Sequence, residues 1–121
     1  MATILITEDD RIALRAITFI LTHVGHRVLT AIDGYTALEQ LAETDADLLI
    51  LDMAMPGMDG LTLLQRLRTE SRLATLPVMV LTASAEDNLL EQARQAGAQK
   101  IVSKPAASQH LLETIAELLQ N

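Results

Sequence analysis

Apolar residues fall along this chain in short unbroken runs and in helical stripes, and the two kinds alternate. "TILIT" (3–7) is a β-branched run that ends abruptly in charges, which predicts a buried strand. Positions 11–24 repeat with a helical period and meet Gly25, a helix stop. "RVLTA" (27–31) reads as a strand and "GYTALEQLAE" (34–43) as a helix. "LLIL" (48–51) is the next strand, and Asp59-Gly60 introduces a helix over 61–71. Pro77 opens the strand "VMVLT" (78–82), and Ser84 with Asp87 resembles a capping box for a helix over 86–96, closed by Gly97. "QKIVS" (99–103) is a fifth strand. A last helix, 108–119, carries Leu111, Leu112, Ile115, Leu118 and Leu119 on one stripe.

Strands alternating with helices predict βαβ units and a parallel sheet covered on both faces. The continuous apolar runs at 3–7, 48–51 and 78–82 fit strands buried on both sides. The expected architecture is α/β: a flavodoxin-like, doubly wound, five-stranded parallel sheet in order 2-1-3-4-5 with five helices. Its working crevice lies at the carboxyl ends of the strands, near the switch point. With 121 residues and no internal repeat or linker, the expectation is one domain over 1–121 with no output domain.

Charge and composition narrow the partners. The net charge of −7 argues against nucleic acid or an anionic membrane as a direct partner. The absence of cysteine removes disulfides and thiolate metal sites. "MATILIT" lacks the basic region of a signal peptide, and no apolar segment reaches the roughly 18 residues of a membrane span. A cytoplasmic domain is expected.

The chemistry gathers at the predicted strand ends. The first strand runs into Glu8, Asp9 and Asp10, the third into Asp52, the fourth ends in Thr82, and Lys104-Pro105 follows the fifth. In the expected topology the first, third and fourth strands are neighbours, so Glu8, Asp9 and Asp52 converge. Crowded carboxylates repel and raise one another's pKa unless compensated. A hard cation is the natural compensation, and Mg²⁺ takes a few carboxylates while keeping waters. Lys104 supplies a point charge suited to a phosphoryl oxygen, and Thr82 a hydroxyl donor. A carboxylate nucleophile, a divalent ion, a lysine and a hydroxyl together make a site that stores a phosphoryl group as an aspartyl-phosphate.

Over nearly its whole length the chain resembles the receiver domain of two-component response regulators, of the single-domain, chemotaxis-regulator-like kind. The resemblance is carried by "ILITEDD" (4–10), "AIDGYTAL" (31–38), "LLILDMAMPGMDG" (48–60), "VLTA" (80–83), "AGA" (96–98) and "SKP" (103–105), in family order and spacing. It implies that Asp52 is both the phosphoacceptor and a Mg²⁺ ligand, that Glu8 and Asp9 are the acidic Mg²⁺ pair, and that the backbone carbonyl of Ala54 is a further ligand. It implies that Thr82 is the switch hydroxyl, that Lys104 contacts the phosphoryl group, and that the Lys104–Pro105 bond is cis. The implied partners are a sensor histidine kinase or histidine phosphotransfer protein and an unidentified downstream protein. On this reading the chain is not an enzyme beyond promoting its own phosphorylation and dephosphorylation.

Other readings carry less. A nucleotide- or flavin-binding domain of this topology needs a Gly- or Ser/Thr-rich loop after the first strand, where this chain has "TEDDRI". A haloacid-dehalogenase-type phosphatase needs an acid two residues beyond its aspartate, where this chain has Met53-Ala54. A phosphorylation-independent interaction module of the same fold is the serious rival, disfavoured because none of the chemical positions is substituted. Asp10 and Asp59 read as helix starts, His23 and His26 as no metal site because Gly25 lies between them at a helix end, His110 as a surface residue near a helix start, and Met53, Met55 and Met58 as loop packing. The first helix has two apolar lines, Ile12–Ala16–Phe19 and Ala13–Ile17–Ile20–Val24; one is expected to face the core and the other to dock a partner.

One absence has a consequence. Members of the family the chain resembles usually carry Tyr or Phe three residues before the fifth-strand lysine, as a ring that moves with the switch hydroxyl and remodels the face formed by the fourth helix, fifth strand and fifth helix. Here that place holds Ile101, β-branched and stiff at χ1. A phosphate mimic with Mg²⁺ should therefore shift amide resonances strongly near 8–9, 52–60 and 82–86 and only slightly over 98–115. Shifts over 98–115 as large as those around Asp52 would show that the relay works without its ring.

Overall fold

Strands and helices alternate in the computed structural model, which describes residues 1–83 and 86–120. Among these residues the order is β1 (Thr3–Thr7), α1 (Arg11–His23), β2 (Arg27–Ala31), α2 (Gly34–Glu43), β3 (Leu48–Leu51), α3 (Gly60–Arg68), β4 (Val78–Thr82), α4 (Asp87–Gln95), β5 (Lys100–Ser103) and α5 (Ser108–Leu119). The strands form one parallel sheet in the order β2-β1-β3-β4-β5, as the pattern predicts.

Alternation within each strand sends side chains to two separate cores. Ile4, Ile6, Leu48, Ile50, Met79 and Leu81 face one side, where Leu14, Ile17 and Leu21 of α1 and Leu111, Ile115 and Leu118 of α5 cover them. Leu5, Leu49, Leu51, Val78 and Val80 face the other, beneath Leu41 of α2, Leu63, Leu64 and Leu67 of α3, and Ala93 of α4. Each fully buried leucine or isoleucine removes enough apolar surface to contribute about 1.5–3 kcal/mol. The register aligns Thr7 with both Ala31 and Leu51, and Thr82 with Ser103, so the strand ends share one edge.

Three aspartates start the helices on that edge. Asp10 Oδ1 accepts the Ile12 amide at 3.0 Å, Asp33 Oδ1 that of Thr36 at 2.8 Å, and Asp59 Oδ1 that of Thr62 at 2.8 Å. Each such cap is worth about 1 kcal/mol. Gly60 answers a tighter demand: a Cβ there would lie 2.4 Å from the carbonyl oxygen of Asp52. Only glycine lets α3 begin against the end of β3.

Some element boundaries differ from the sequence pattern. Helix α3 ends at Arg68 rather than residue 71. The Arg68 guanidinium turns onto the carbonyls of Leu73, Ala74, Leu76 and Gly97, beside the turns that residues 69–75 form. Strand β5 starts one residue late, at Lys100. Helix α4 begins after Glu86, whose side chain makes no cap bond; Ser84, the expected cap, lies outside the described residues. Gly25 follows the cap residue Val24, with φ 97°. On α1 the core line is Leu14–Ile17–Leu21 rather than either expected line. Ile17 is shared with the second of those, but Ala13 and Ile20 are half-buried and Val24 is exposed.

Candidate functional site

The sheet delivers five chemical side chains to its carboxyl edge. Backbone bonds extend the ladder one residue past the strands: Glu8 N–H donates to Ala31 O at 3.0 Å, Asp52 N–H to Thr7 O at 3.1 Å, and Lys104 N–H to Thr82 O at 2.8 Å. These fix Glu8, Asp52 and Lys104 before any side-chain contact is counted. The Lys104–Pro105 peptide bond is cis, as the resemblance implies. One carboxylate oxygen from each of Glu8, Asp9 and Asp52 lies within 4.8 Å of the other two. Glu8 is 3% and Asp52 8% exposed, whereas Asp9 faces solvent.

Lys104 bridges the two buried acids. Its ammonium pairs with Glu8 Oε1 and lies 3.4 Å from Asp52 Oδ2. Glu8 Oε2 accepts the Asp10 amide at 3.2 Å, and Asp52 Oδ1 accepts that of Ala54 at 3.3 Å. Ala54 thus lies beside Asp52, in an exposed turn whose neighbours Met53, Met55 and Met58 are buried. Thr82 is buried at the end of β4, paired with Ser103, the β5 residue just before Lys104. Glu8, Asp9, Asp52, Thr82 and Lys104, named from the sequence, thus share one edge of the sheet. What the sequence reading missed is the direct Glu8–Lys104 pair, which needed the side-chain geometry at the edge. It also missed Thr7, whose buried hydroxyl has no hydrogen-bond partner among the described residues.

Three carboxylates and one ammonium leave this pocket with an excess of two negative charges. Burial raises the pKa of Glu8 above its ordinary value, opposed by the hydrogen bonds from Lys104 and Asp10 and reinforced by Asp52. Burial acts against the Lys104 ammonium, yet its hydrogen bond to Glu8 and the charges of Asp52 and Glu8 outweigh that, and its pKa is raised. The donors are hard oxygens, several of them carboxylate, which suits a small divalent cation such as Mg²⁺.

A doubly wound sheet with an acidic pocket, a lysine and a buried threonine at its carboxyl edge defines a class of phosphoryl-handling signalling domains. The response regulator receiver domain model matches residues 4–116, and the chain belongs to that family. It is 38% identical over 118 residues to the chemotaxis protein CheY of Pseudomonas aeruginosa, covering 97% of this chain and 95% of that one. It is 34% identical over 116 residues to the sensory/regulatory protein RpfC of Xanthomonas campestris, of whose length it spans only 16%. The receiver domain of sensor histidine kinase PA1611 from Pseudomonas aeruginosa was solved with a magnesium ion coordinated in its active site cleft. It superposes with a TM-score of 0.92 at 25% identity, covering 99% of this chain and 98% of that one. The chain is accordingly a phosphoacceptor signalling domain of two-component systems.

The Glu8 shift makes stability depend on pH with a definite sign. An acid whose folded pKa is raised stabilises the fold fully below its unfolded value, near 4.5, and that contribution is lost as pH rises through the folded value. Urea unfolding in chelator, from about pH 4 to about pH 8, should show wild type losing stability relative to Glu8→Gln as pH rises. A wild-type advantage that grows with pH would show instead that Glu8 is held as a favoured anion.

Proposed function

We propose that Asp52 is the residue phosphorylated and that Glu8, Asp9, Asp52 and the Ala54 carbonyl hold the Mg²⁺ that the reaction needs. The observation that carries this reading is the position of Asp52: buried at the end of β3, with Lys104 3.4 Å away and Glu8 and Asp9 grouped beside it. An Asp52 oxygen attacks the phosphorus of a phosphohistidine donor, the phosphorus–nitrogen bond breaks, and the imidazole takes up a proton. The cation, when bound, neutralises the acids and the charge on the transferring phosphoryl oxygens. Lys104 and the Thr82 hydroxyl contact those oxygens in the acyl phosphate. Water later attacks the same phosphorus, the bond from phosphorus to the Asp52 oxygen breaks, inorganic phosphate leaves and the carboxylate is restored, so the chain promotes only its own phosphorylation and dephosphorylation.

The donor is a sensor histidine kinase or a histidine phosphotransfer protein, and the output is a changed affinity for a downstream protein, in the cytoplasm. Ile12 and Phe19 are 82% and 70% exposed on α1, with Ala16 exposed between them. The Phe19 ring stacks on His23, with centroids 5.9 Å apart. An apolar line left open beside the acidic pocket is a landing surface for that donor.

Incubation with Mg²⁺ and a small phosphodonor should add one hydroxylamine-labile phosphate, and Asp52→Asn should abolish it. Phe19→Ala should label normally with the small donor and more slowly with a phosphorylated phosphotransfer domain. Equal labelling of the Asp52 variant would place the acceptor elsewhere, and no labelling of the parent would favour a phosphorylation-independent interaction module. Equal slowing of the Phe19 variant with both donors would place that residue in folding rather than docking.

A further inference from the structure

Helix α1 carries no acidic residue, in a chain whose net charge is −7. It carries Arg11 and Arg15, four residues apart and therefore on one face, and both are exposed. Among the described residues Arg72, Arg94, Lys100 and Lys104 pair with carboxylates, whereas Arg11 and Arg15 pair with none. The acids near them are committed elsewhere. Asp10 Oδ1 caps the helix on the Ile12 amide. On α5, which covers the same sheet face, Glu113 accepts from Gln109 at 3.0 Å and Glu117 pairs with Lys100 at 3.2 Å. The row Arg11–Arg15–Thr18–Thr22 runs beside the apolar row Ile12–Ala16–Phe19. Between α1 and β2 lies a groove of about 440 Å³, lined by Leu14, Arg15, Thr18, Phe19, Thr22 and Thr30. The Thr18 and Thr22 hydroxyls donate back to the carbonyls of Leu14 and Thr18 at 2.7 and 2.8 Å, so their protons are spent and Arg15 supplies the groove's charge. Exposed aromatic and arginine side chains are the types that anchor protein interfaces.

We propose that the phosphodonor lands with an acidic, apolar segment: its carboxylates pair with Arg11 and Arg15, and one apolar side chain enters the groove between α1 and β2 beside Phe19. The inference rests on the reading that α1 receives the donor, and it adds the chemistry that selects that donor. Charge complementarity favours this occupant. Each unpaired guanidinium matches a carboxylate with two parallel hydrogen bonds. Most of the surface of a chain with net charge −7 repels an acidic partner, so the cationic helix steers it to one place. A nucleic acid fits this face less well, because Asp9 and Asp10 stand exposed at the start of the helix and repel an extended phosphate backbone.

Phosphotransfer rates test it. The probes are a phosphorylated histidine phosphotransfer domain with carboxylates around its histidine, and the same domain with those carboxylates changed to lysine. Each rate is divided by the same variant's labelling rate with acetyl phosphate, which needs no landing surface. Wild type should prefer the carboxylate form by about tenfold at low ionic strength, the lower end of electrostatic steering, and should lose most of that preference in high salt. Arg11→Glu combined with Arg15→Glu should reverse the preference. Thr30→Phe, which fills the groove from β2, should slow transfer from the carboxylate form by about fivefold, the loss of one well-packed contact. An unchanged preference in the double variant, or a wild-type rate in Thr30→Phe, would overturn the proposal while leaving α1 as the landing surface. A wild-type rate in Phe19→Ala with both forms would remove α1 as that surface, and no labelling of wild type by acetyl phosphate would remove Asp52 as the acceptor; the proposal falls with either.

Discussion

Three carboxylates held within 4.8 Å of one another, with a single lysine to balance them, are the constraint around which this chain is organised. Like charges at that separation separate unless the backbone forbids it. Here it does, because Glu8 and Asp9 follow directly from β1, Asp52 from β3, and the two strands pair in fixed parallel register. The sheet, buried on both faces, provides the stiffness. The amide of Asp52 bonded to Thr7, and that of Lys104 bonded to Thr82, carry that stiffness past the last strand residue into the pocket.

The same constraint explains features away from the acids. Helix α3 must start immediately beyond the Asp52 loop, and the 2.4 Å approach that a Cβ would make to the Asp52 carbonyl admits only glycine at position 60. Met53, Met55 and Met58 fill the space under that loop with flexible apolar side chains, so a turn beside a charged pocket still has a packed floor. Asp10, Asp33 and Asp59 cap three helices on this edge, adding negative charge near the pocket while satisfying helix amides. Arg68 acts at the opposite end, where one guanidinium gathers four carbonyls and closes the connections into β4 and β5.

Sheet order, element types and all five converging side chains were legible in the sequence because each rests on a local signal. Continuous apolar runs mark central strands, and charges at their ends mark the crevice. The limits of α3 and β5 were not, because Arg68 and Gln99 set them through contacts with distant backbone: Gln99 Oε1 accepts the Val78 amide at 2.7 Å. Nor did periodicity choose the exposed line of α1. That helix is apolar over more than one stripe, and only packing of Leu14, Ile17 and Leu21 against the sheet leaves Ile12 and Phe19 outside. The Glu8–Lys104 pair was hidden for a related reason: spacing shows that two residues share an edge, not which of several partners a flexible lysine takes.

Without a cation the acidic pocket is electrostatically strained, and a bound cation relieves it. Thermal unfolding of wild type and Asp52→Asn, in chelator and in Mg²⁺, tests that claim most directly. At about one hundred times the dissociation constant, the cation should stabilise wild type by about 2.7 kcal/mol, raising Tm by roughly 10 °C. In chelator Asp52→Asn should be no less stable than wild type, and its gain from Mg²⁺ should be smaller. A wild-type Tm indifferent to Mg²⁺, with Asp52→Asn clearly less stable in chelator, would show that Lys104 alone satisfies the pocket and would contradict the account.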